Sequence, residues 1–157
     1  MTSNQTAFLG MIAFSEGTAS VGHRNGYDVI VGTTPSLMRR IDSFDDHPRV
    51  TMQLNATLWS SAAGRYQITA GTWAVLKMRL KLPDFSPDSQ DKAALELIRE
   101  KGAIDMIDDG KITDAIIACA PIWASFPGAG YSQHENAFSA LLAAYRQVGG
   151  SFVAVTP

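Results

Sequence analysis

The chain has 157 residues, of which 46% are hydrophobic and 18% charged, and its formal net charge is −2. These values exclude a disordered chain and a strongly basic nucleic-acid binder, and they allow one domain over 1–157 with a buried core. The charge is uneven: residues 1–81 hold eight Lys/Arg against five Asp/Glu, and 82–157 hold five against ten. A basic first half suits an anionic substrate.

The first apolar run is Ala7-Phe8-Leu9-Gly10-Met11-Ile12-Ala13-Phe14, which predicts a helix over 6–16 stopped by Gly17. The run is short and no basic residue precedes it. It therefore predicts a core helix and no signal peptide or membrane span, and a chain made and folded in the cytoplasm. Its end carries the most information. A carboxyl on the last turn of a buried helix is poorly solvated and faces the negative end of the helix dipole, and both effects raise its pKa. Glu16 is thus a candidate proton donor. A solvated Glu on a frayed helix end would leave the same sequence.

Gly22 to Gly26 predicts a polar turn, and Tyr27-Asp28-Val29-Ile30-Val31 a short strand ended by Gly32. Thr33 to Pro48 is irregular. Val50 to Leu54 alternates as a second strand, and Ala63 to Ile68 supplies a third. Helices follow at Thr72–Leu80 and at Asp88–Lys101, the latter introduced by Ser86 as N-cap and Pro87 at the first helical position. Further helices are predicted at Ala103–Asp108, Thr113–Trp123 and Asn136–Val148, with Phe126 to Tyr131 as a loop. The expected fold is α+β: a mainly helical domain with a small early antiparallel sheet.

The chemistry narrows by residue type. His23, His47 and His134 are too far apart for paired metal-ligand spacing, and Cys119, the single cysteine, lies in an apolar helix. No G-x-S-x-G occurs, and Gly128-Ala129-Gly130 lacks the flanking strand and helix of a dinucleotide loop. No metal and no cofactor are expected. Carboxylate chemistry survives. Asp28, at the start of a strand, and the loop residues Asp45 and Asp46 are the possible partners of Glu16, and none stands out. That favours a reaction that one carboxyl can run. Tyr66, Gln67, Trp123, Ser125 and Tyr131 are of the types that line sugar clefts, with Trp123 better suited to the core and Tyr131 to an exposed loop.

Several segments in order, Ser15-Glu16-Gly17-Thr18, Gly26-Tyr27-Asp28-Val29-Ile30-Val31-Gly32, His47-Pro48-Arg49, Ala63-Gly64-Arg65-Tyr66-Gln67, Asp84-Phe85-Ser86-Pro87 with Gln90-Asp91, and Trp123-Ala124-Ser125 with Pro127-Gly128-Ala129-Gly130-Tyr131, resemble the endolysin family of bacteriophage lambda and its relatives. The likeness spans nearly the whole chain. The segment between Thr18 and Gly26 is shorter than the family pattern, Thr33 to Asp46 differs in composition, and Ser132 replaces a glycine.

The resemblance implies a lysozyme-like fold and a soluble lytic transglycosylase that cleaves the MurNAc–GlcNAc β-1,4 bond of peptidoglycan without water. It implies Glu16 as the catalytic residue, acid and then base. Gly64, Arg65, Tyr66 and Gln67 would form a cleft wall, Ser125 and Tyr131 would lie beside the glycan, and Tyr27, Asp28 and His47 near the cleft. It further implies a monomer acting on glycan strands, no nucleic-acid partner and no membrane insertion. The enzyme would wait in the host cytoplasm and reach the periplasm through a holin or similar pore. Two alternatives fit the same residues: a hydrolytic muramidase using Glu16 with Asp28 or an activated water, and a non-catalytic glycan-binding protein.

Overall fold

A computed structural model describes residues 1–21, 24–34, 36–130 and 135–153. Among these, the named elements are α1 (Ser3–Ser15), β1 (Met52–Gln53), β2 (Trp59–Ser60), α2 (Ala70–Leu80), α3 (Pro87–Glu100), α4 (Ile104–Asp108), α5 (Ile112–Cys119) and α6 (Phe138–Gln147), with a 3₁₀ turn at Thr18–Ser20. The predicted mostly helical α+β class with a small antiparallel sheet is the one observed. Two compact units form. One comprises Met1–Ser15 with the described residues from Leu95 on; the other comprises Glu16–Ala94.

In the first unit, α1 begins three residues before the predicted start. Gln5 N–H donates to Thr2 Oγ1 and Thr2 N–H donates to Gln5 Oε1, each at 3.2 Å. This reciprocal capping pair satisfies backbone donors that an α-helix leaves open, so polar residues 3–5 join the helix. Ala7, Phe8, Leu9, Met11, Ile12 and Ala13 are all buried, which makes α1 apolar on nearly every side and the central helix of its unit. It packs on α4 and α6. Phe8 meets Phe126 edge-on at 6.3 Å, and Trp123 lies 5.7 Å from the same ring.

Two predicted boundaries in this unit shift for identifiable reasons. Helix α5 stops at Cys119 and does not run to Trp123. Pro121 has no N–H to continue the ladder and its ring crowds the preceding turn. Helix α6 starts at Phe138 and not at Asn136, because Ala137 has an extended backbone, with ψ 145°, and stands as the N-cap. Burial pushes the Cys119 thiol up to about 12, consistent with an inert core cysteine.

In the second unit, the strand expected at Tyr27–Val31 is realised only at its end. Residues 25–28 turn, and Val29 and Ile30 make single bridges to Arg40 and Ala63. The strand expected at 50–54 contracts to β1, which pairs antiparallel with β2 so that Met52 faces Ser60 and Gln53 faces Trp59. The third becomes a tight hairpin: Ala63 and Ile68 exchange both backbone bonds at 3.0 Å, leaving Gly64, Arg65, Tyr66 and Gln67 as its loop. Helix α2 is capped by Thr69, whose hydroxyl accepts from Thr72 N–H. Pro87 opens α3 as predicted. Just ahead of it, Asp84 Oδ1 accepts from Ser86 N–H at 2.9 Å and from the Ser89 hydroxyl at 3.0 Å.

An aromatic cluster fills this unit's core. Phe85 is met edge-on by Trp73 at 4.7 Å and by His47 at 4.9 Å. Asp46 closes the cluster from the surface. It accepts from Trp73 Nε1 at 2.9 Å, Lys77 Nζ at 2.9 Å and an Arg49 guanidinium nitrogen at 3.1 Å. Burial opposes its charge, but these donors outweigh burial and hold its carboxyl well below the usual carboxylate range.

A folded-state pKa below the unfolded value means that the unfolded chain binds the proton first. The contribution of Asp46 is therefore full at neutral pH and is lost as pH falls through and below about 4. Urea unfolding of the parent and of Asp46→Asn will show a stability gap at pH 7 that narrows by pH 3; a gap that widens on acidification contradicts the assignment.

Candidate active site

Glu16 stands immediately after α1 and not on its last turn as the apolar run predicts. Gly17 decides this. Its φ of 71° is left-handed, a conformation that costs an L-residue about 1–2 kcal/mol, while a Cβ there would touch nothing within 4 Å. The glycine is required by backbone direction and not by space. It swings the chain out of the helix and leaves Glu16 half-buried at the exit. The chain is caught again at once: buried Thr18 donates its hydroxyl to Arg65 O at 2.6 Å.

Within the second unit, Glu16 lines an open cleft of about 440 Å³. Gly17, Thr18, Thr33, Leu54 and Gln67 also border it. Glu16 is the one ionisable side chain among the described residues that line this cleft. The rest of the wall offers hydroxyls, one primary amide and aliphatic surface, a mixture suited to a neutral polyhydroxylated ligand.

Of the Gly64-Arg65-Tyr66-Gln67 loop, Gln67 borders the cleft. Gln67 has a positive φ of 48°, a strained setting for a side chain larger than glycine, and its Nε2 donates to Gly64 O at 2.9 Å. Gly64 has φ 78°, and a Cβ on it would lie 2.2 Å from Gln90 Oε1. That close approach identifies a residue absent from the sequence-derived site. Gln90 is only 1% exposed, yet its amide is fully engaged. Its Oε1 accepts from Arg65 N–H at 2.9 Å, and its Nε2 donates to Tyr27 O at 3.0 Å and Phe85 O at 2.8 Å. The signal that could have found it is a polar residue on the apolar face of a helix.

Tyr66 is buried, and its hydroxyl donates to Asp91 Oδ1 at 2.6 Å. Tyr27 donates to the same oxygen at 2.8 Å and meets the Tyr66 ring edge-on. Burial raises the pKa of both phenols, and the Asp91 carboxylate adds to it, so they act as donors. The Arg65 guanidinium lies over the Tyr27 ring at 5.2 Å and donates to Asn25 O. Tyr27, Arg65 and Tyr66 thus brace the loop, while Gln67 is the member that lines the cleft.

The other sequence candidates fall in different places. Asp28 is 3% exposed, does not line the cleft, and its Oδ1 has no hydrogen-bond partner among the described residues. His47 belongs to the Phe85 cluster: its Nε2 lies 2.9 Å from Ile68 O, and its Nδ1 accepts from Arg49 N–H at 3.0 Å. Burial lowers its pKa and keeps the ring neutral. In the first unit, Trp123 is a core residue, as its apolar setting predicts. Ser125 Oγ lies 2.8 Å from Ser15 Oγ. Tyr131, with His23 and His134, lies outside the described residues.

The fold is that of a lysozyme-type enzyme that breaks down cell walls. Lysozyme from bacteriophage lambda complexed with a chitohexasaccharide superposes with a TM-score of 0.91 at 44% identity, covering 97% of each chain. A second structure of lysozyme from bacteriophage lambda gives a TM-score of 0.88 at 42% identity. The endolysin of Escherichia phage lambda is 44% identical over 154 residues, 96% of this chain and 94% of its own. That of Escherichia phage P2 is also 44% identical over 154 residues, 94% of this chain and 93% of its own. The Endolysin family model matches residues 6–152, and the chain belongs to the endolysin family.

Substituting Gln90→Leu will leave the Arg65 N–H and the Tyr27 and Phe85 carbonyls without their partner, at about 1–3 kcal/mol for each buried group left unpaired. Chemical denaturation will register the loss. Wall-clearing activity measured well below the new unfolding midpoint will also fall, because the loop carrying Gln67 loses its support.

Proposed function

We propose that the chain is a peptidoglycan lytic transglycosylase, a single catalytic domain over 1–157, with Glu16 as acid and then base. The observation that carries this reading is that, among the described residues lining the cleft, Glu16 is the one that can ionise. Two-carboxylate glycosidases set the second group about 5–9.5 Å from the first, across the scissile bond. Asp28, the natural second carboxylate, is buried off the cleft lining. A reaction that recycles one carboxyl has no use for it.

In that reaction, protonated Glu16 donates its proton to the glycosidic oxygen. The C1–O bond breaks with its electron pair leaving on that oxygen, and the GlcNAc segment departs with a new hydroxyl. The MurNAc ring takes on oxocarbenium character, assisted by its own N-acetyl carbonyl. The Glu16 carboxylate then removes the proton from the C6 hydroxyl as O6 bonds to C1. The product is a 1,6-anhydromuramoyl end, and Glu16 finishes protonated, ready for another cycle. No water is consumed.

Gln67, whose Nε2 is steadied by Gly64 O, would offer its amide to sugar or N-acetyl groups, with Ser125 and Tyr131 as further glycan contacts. Gly64, Arg65 and Tyr66 would hold that wall, and Tyr27, Asp28 and His47 would support it from behind. Correct orientation of the C6 hydroxyl toward C1 supplies much of the rate, on the order of 7–11 kcal/mol in well-aligned intramolecular reactions. That the lambda lysozyme structure holds a chitohexasaccharide supports a glycan strand as the substrate here. The enzyme would act as a monomer, without metal or cofactor, on wall reached from the host cytoplasm through a holin or similar pore. Among the described residues, no helix is long and apolar enough to cross a membrane.

Mass spectrometry of digested wall tests the mechanism. Muramic ends one water lighter than reducing ends are expected, and uniformly hydrated ends would establish a muramidase instead. Glu16→Gln, which cannot donate and recover the proton, is expected to lower turnover by at least about 10²–10⁴-fold without loss of fold by circular dichroism.

A further inference from the structure

We infer that Asn136 is a positioning residue for this reaction: its side-chain amide holds the peptide group from which Glu16 extends. The inference rests on Glu16 being the catalytic acid.

The geometry lies within the first unit and reaches Glu16 through a covalent bond. The carbonyls of the last turn of a helix have no intrahelical partner. Asn136 Nδ2 donates to one of them, Ser15 O, at 3.2 Å. That oxygen belongs to the amide joining Ser15 to Glu16. Asn136 Nδ2 also lies 3.1 Å from Ser15 Oγ and 3.3 Å from Ser125 O. Ser15 Oγ in turn donates to Ser125, with 2.8 Å to Oγ and 3.3 Å to the carbonyl. The Asn136 backbone N–H donates to Ser125 O at 2.8 Å, which fixes the residue that carries the amide. Main chain and side chain of one asparagine thereby bind both serines.

The neighbouring residue anchors the same stretch of chain. Glu135 accepts from Gly128 N–H at 2.8 Å and Gly130 N–H at 2.9 Å. Asn136 therefore emerges from a braced loop base, and its amide has a defined place from which to grip Ser15. Across Glu16 the next constraint is Gly17, whose left-handed φ sets the chain's exit. The acid is bounded by a clamped peptide on one side and a fixed turn on the other. A displacement of about 1 Å in a reacting group can cost on the order of 10²-fold in rate, so a clamp on that peptide acts on turnover.

Kinetics on soluble, uncrosslinked peptidoglycan strands, with anhydro products quantified by chromatography, test the inference in the full chain. For Asn136→Ala, kcat is expected to fall by about ten- to a hundredfold with KM within about twofold, in protein that remains folded. The pH profile of kcat should shift on the limb that titrates with Glu16. Ser15→Ala removes only the hydroxyl partner and should give a smaller fall in kcat with KM again unchanged. If Asn136→Ala does not fold, Asn136→Asp and Ser15→Ala decide. Asn136→Asp keeps the size but turns an acceptor toward Ser15 O, and should lose kcat above the pH at which the new carboxyl ionises and regain part of it below. Wild-type kcat and pH profile in folded Asn136→Ala, or in both Asn136→Asp and Ser15→Ala, would overturn the clamp. Glu16→Gln run in parallel separates the two claims: full activity there removes Glu16 as the acid, whereas an inactive Glu16→Gln beside a fully active Asn136→Ala removes only the clamp.

Discussion

The buried amide of Gln90 organises the cleft-bearing unit. A primary amide taken out of water must find partners for its oxygen and its nitrogen, and here each partner is backbone from a different segment: Arg65, Tyr27 and Phe85. One side chain on α3 thus sets the loop 64–67, the turn ahead of Val29 and the approach to the aromatic cluster. Left unsatisfied, each of those groups would cost more than its hydrogen bond contributes, so Gln90 ties the three segments to one another. Gly64 is part of the same constraint, because only a residue without a Cβ fits against Gln90 Oε1.

The loop that Gln90 supports is strained at the residue that lines the cleft. Gln67 has a left-handed backbone, and its side chain folds back onto Gly64 O. Strain of this kind persists where the surrounding structure overdetermines it. Here the surroundings are the paired Ala63 and Ile68, the buried Tyr66 anchored on Asp91, and the Thr18 hydroxyl on Arg65 O. The last of these also ties the segment after Glu16 to the loop that bears Gln67. The acid and the amide that line one cleft share a single backbone support.

A lining with one ionisable side chain among its described residues gives the cleft its chemical character. Its other described lining residues offer hydroxyls, aliphatic surface and one amide, and the proposed transfer needs no second carboxylate among them. Bond cleavage and ring closure pass one proton out and one proton back. A second carboxylate is required only where a water must be activated or a covalent intermediate held. Asp28, buried off the cleft lining, does neither from that position.

The sequence by itself determined the helical plan, the early sheet and the two short segments that reach the cleft, because those features are local. Apolar runs, Pro87 at the start of α3 and Gly17 at the end of α1 act over a few residues, and their consequences can be read in order along the chain. Glu16 and Gln67, which both line the cleft, stand in segments that can be read the same way: one abuts a helix stop and the other closes a short loop. What tertiary structure decided was non-local. Asp28 and His47 looked like cleft residues from their segments, yet the turn before Val29 and the packing against Phe85 bury them. Gln90 looked like one more polar helix residue, and Asn136 like the first residue of a helix. Their roles appear only when partners 25 to 121 residues away come within hydrogen-bond reach. A buried amide is defined by its partners, and no spacing along the chain encodes which carbonyl will meet it.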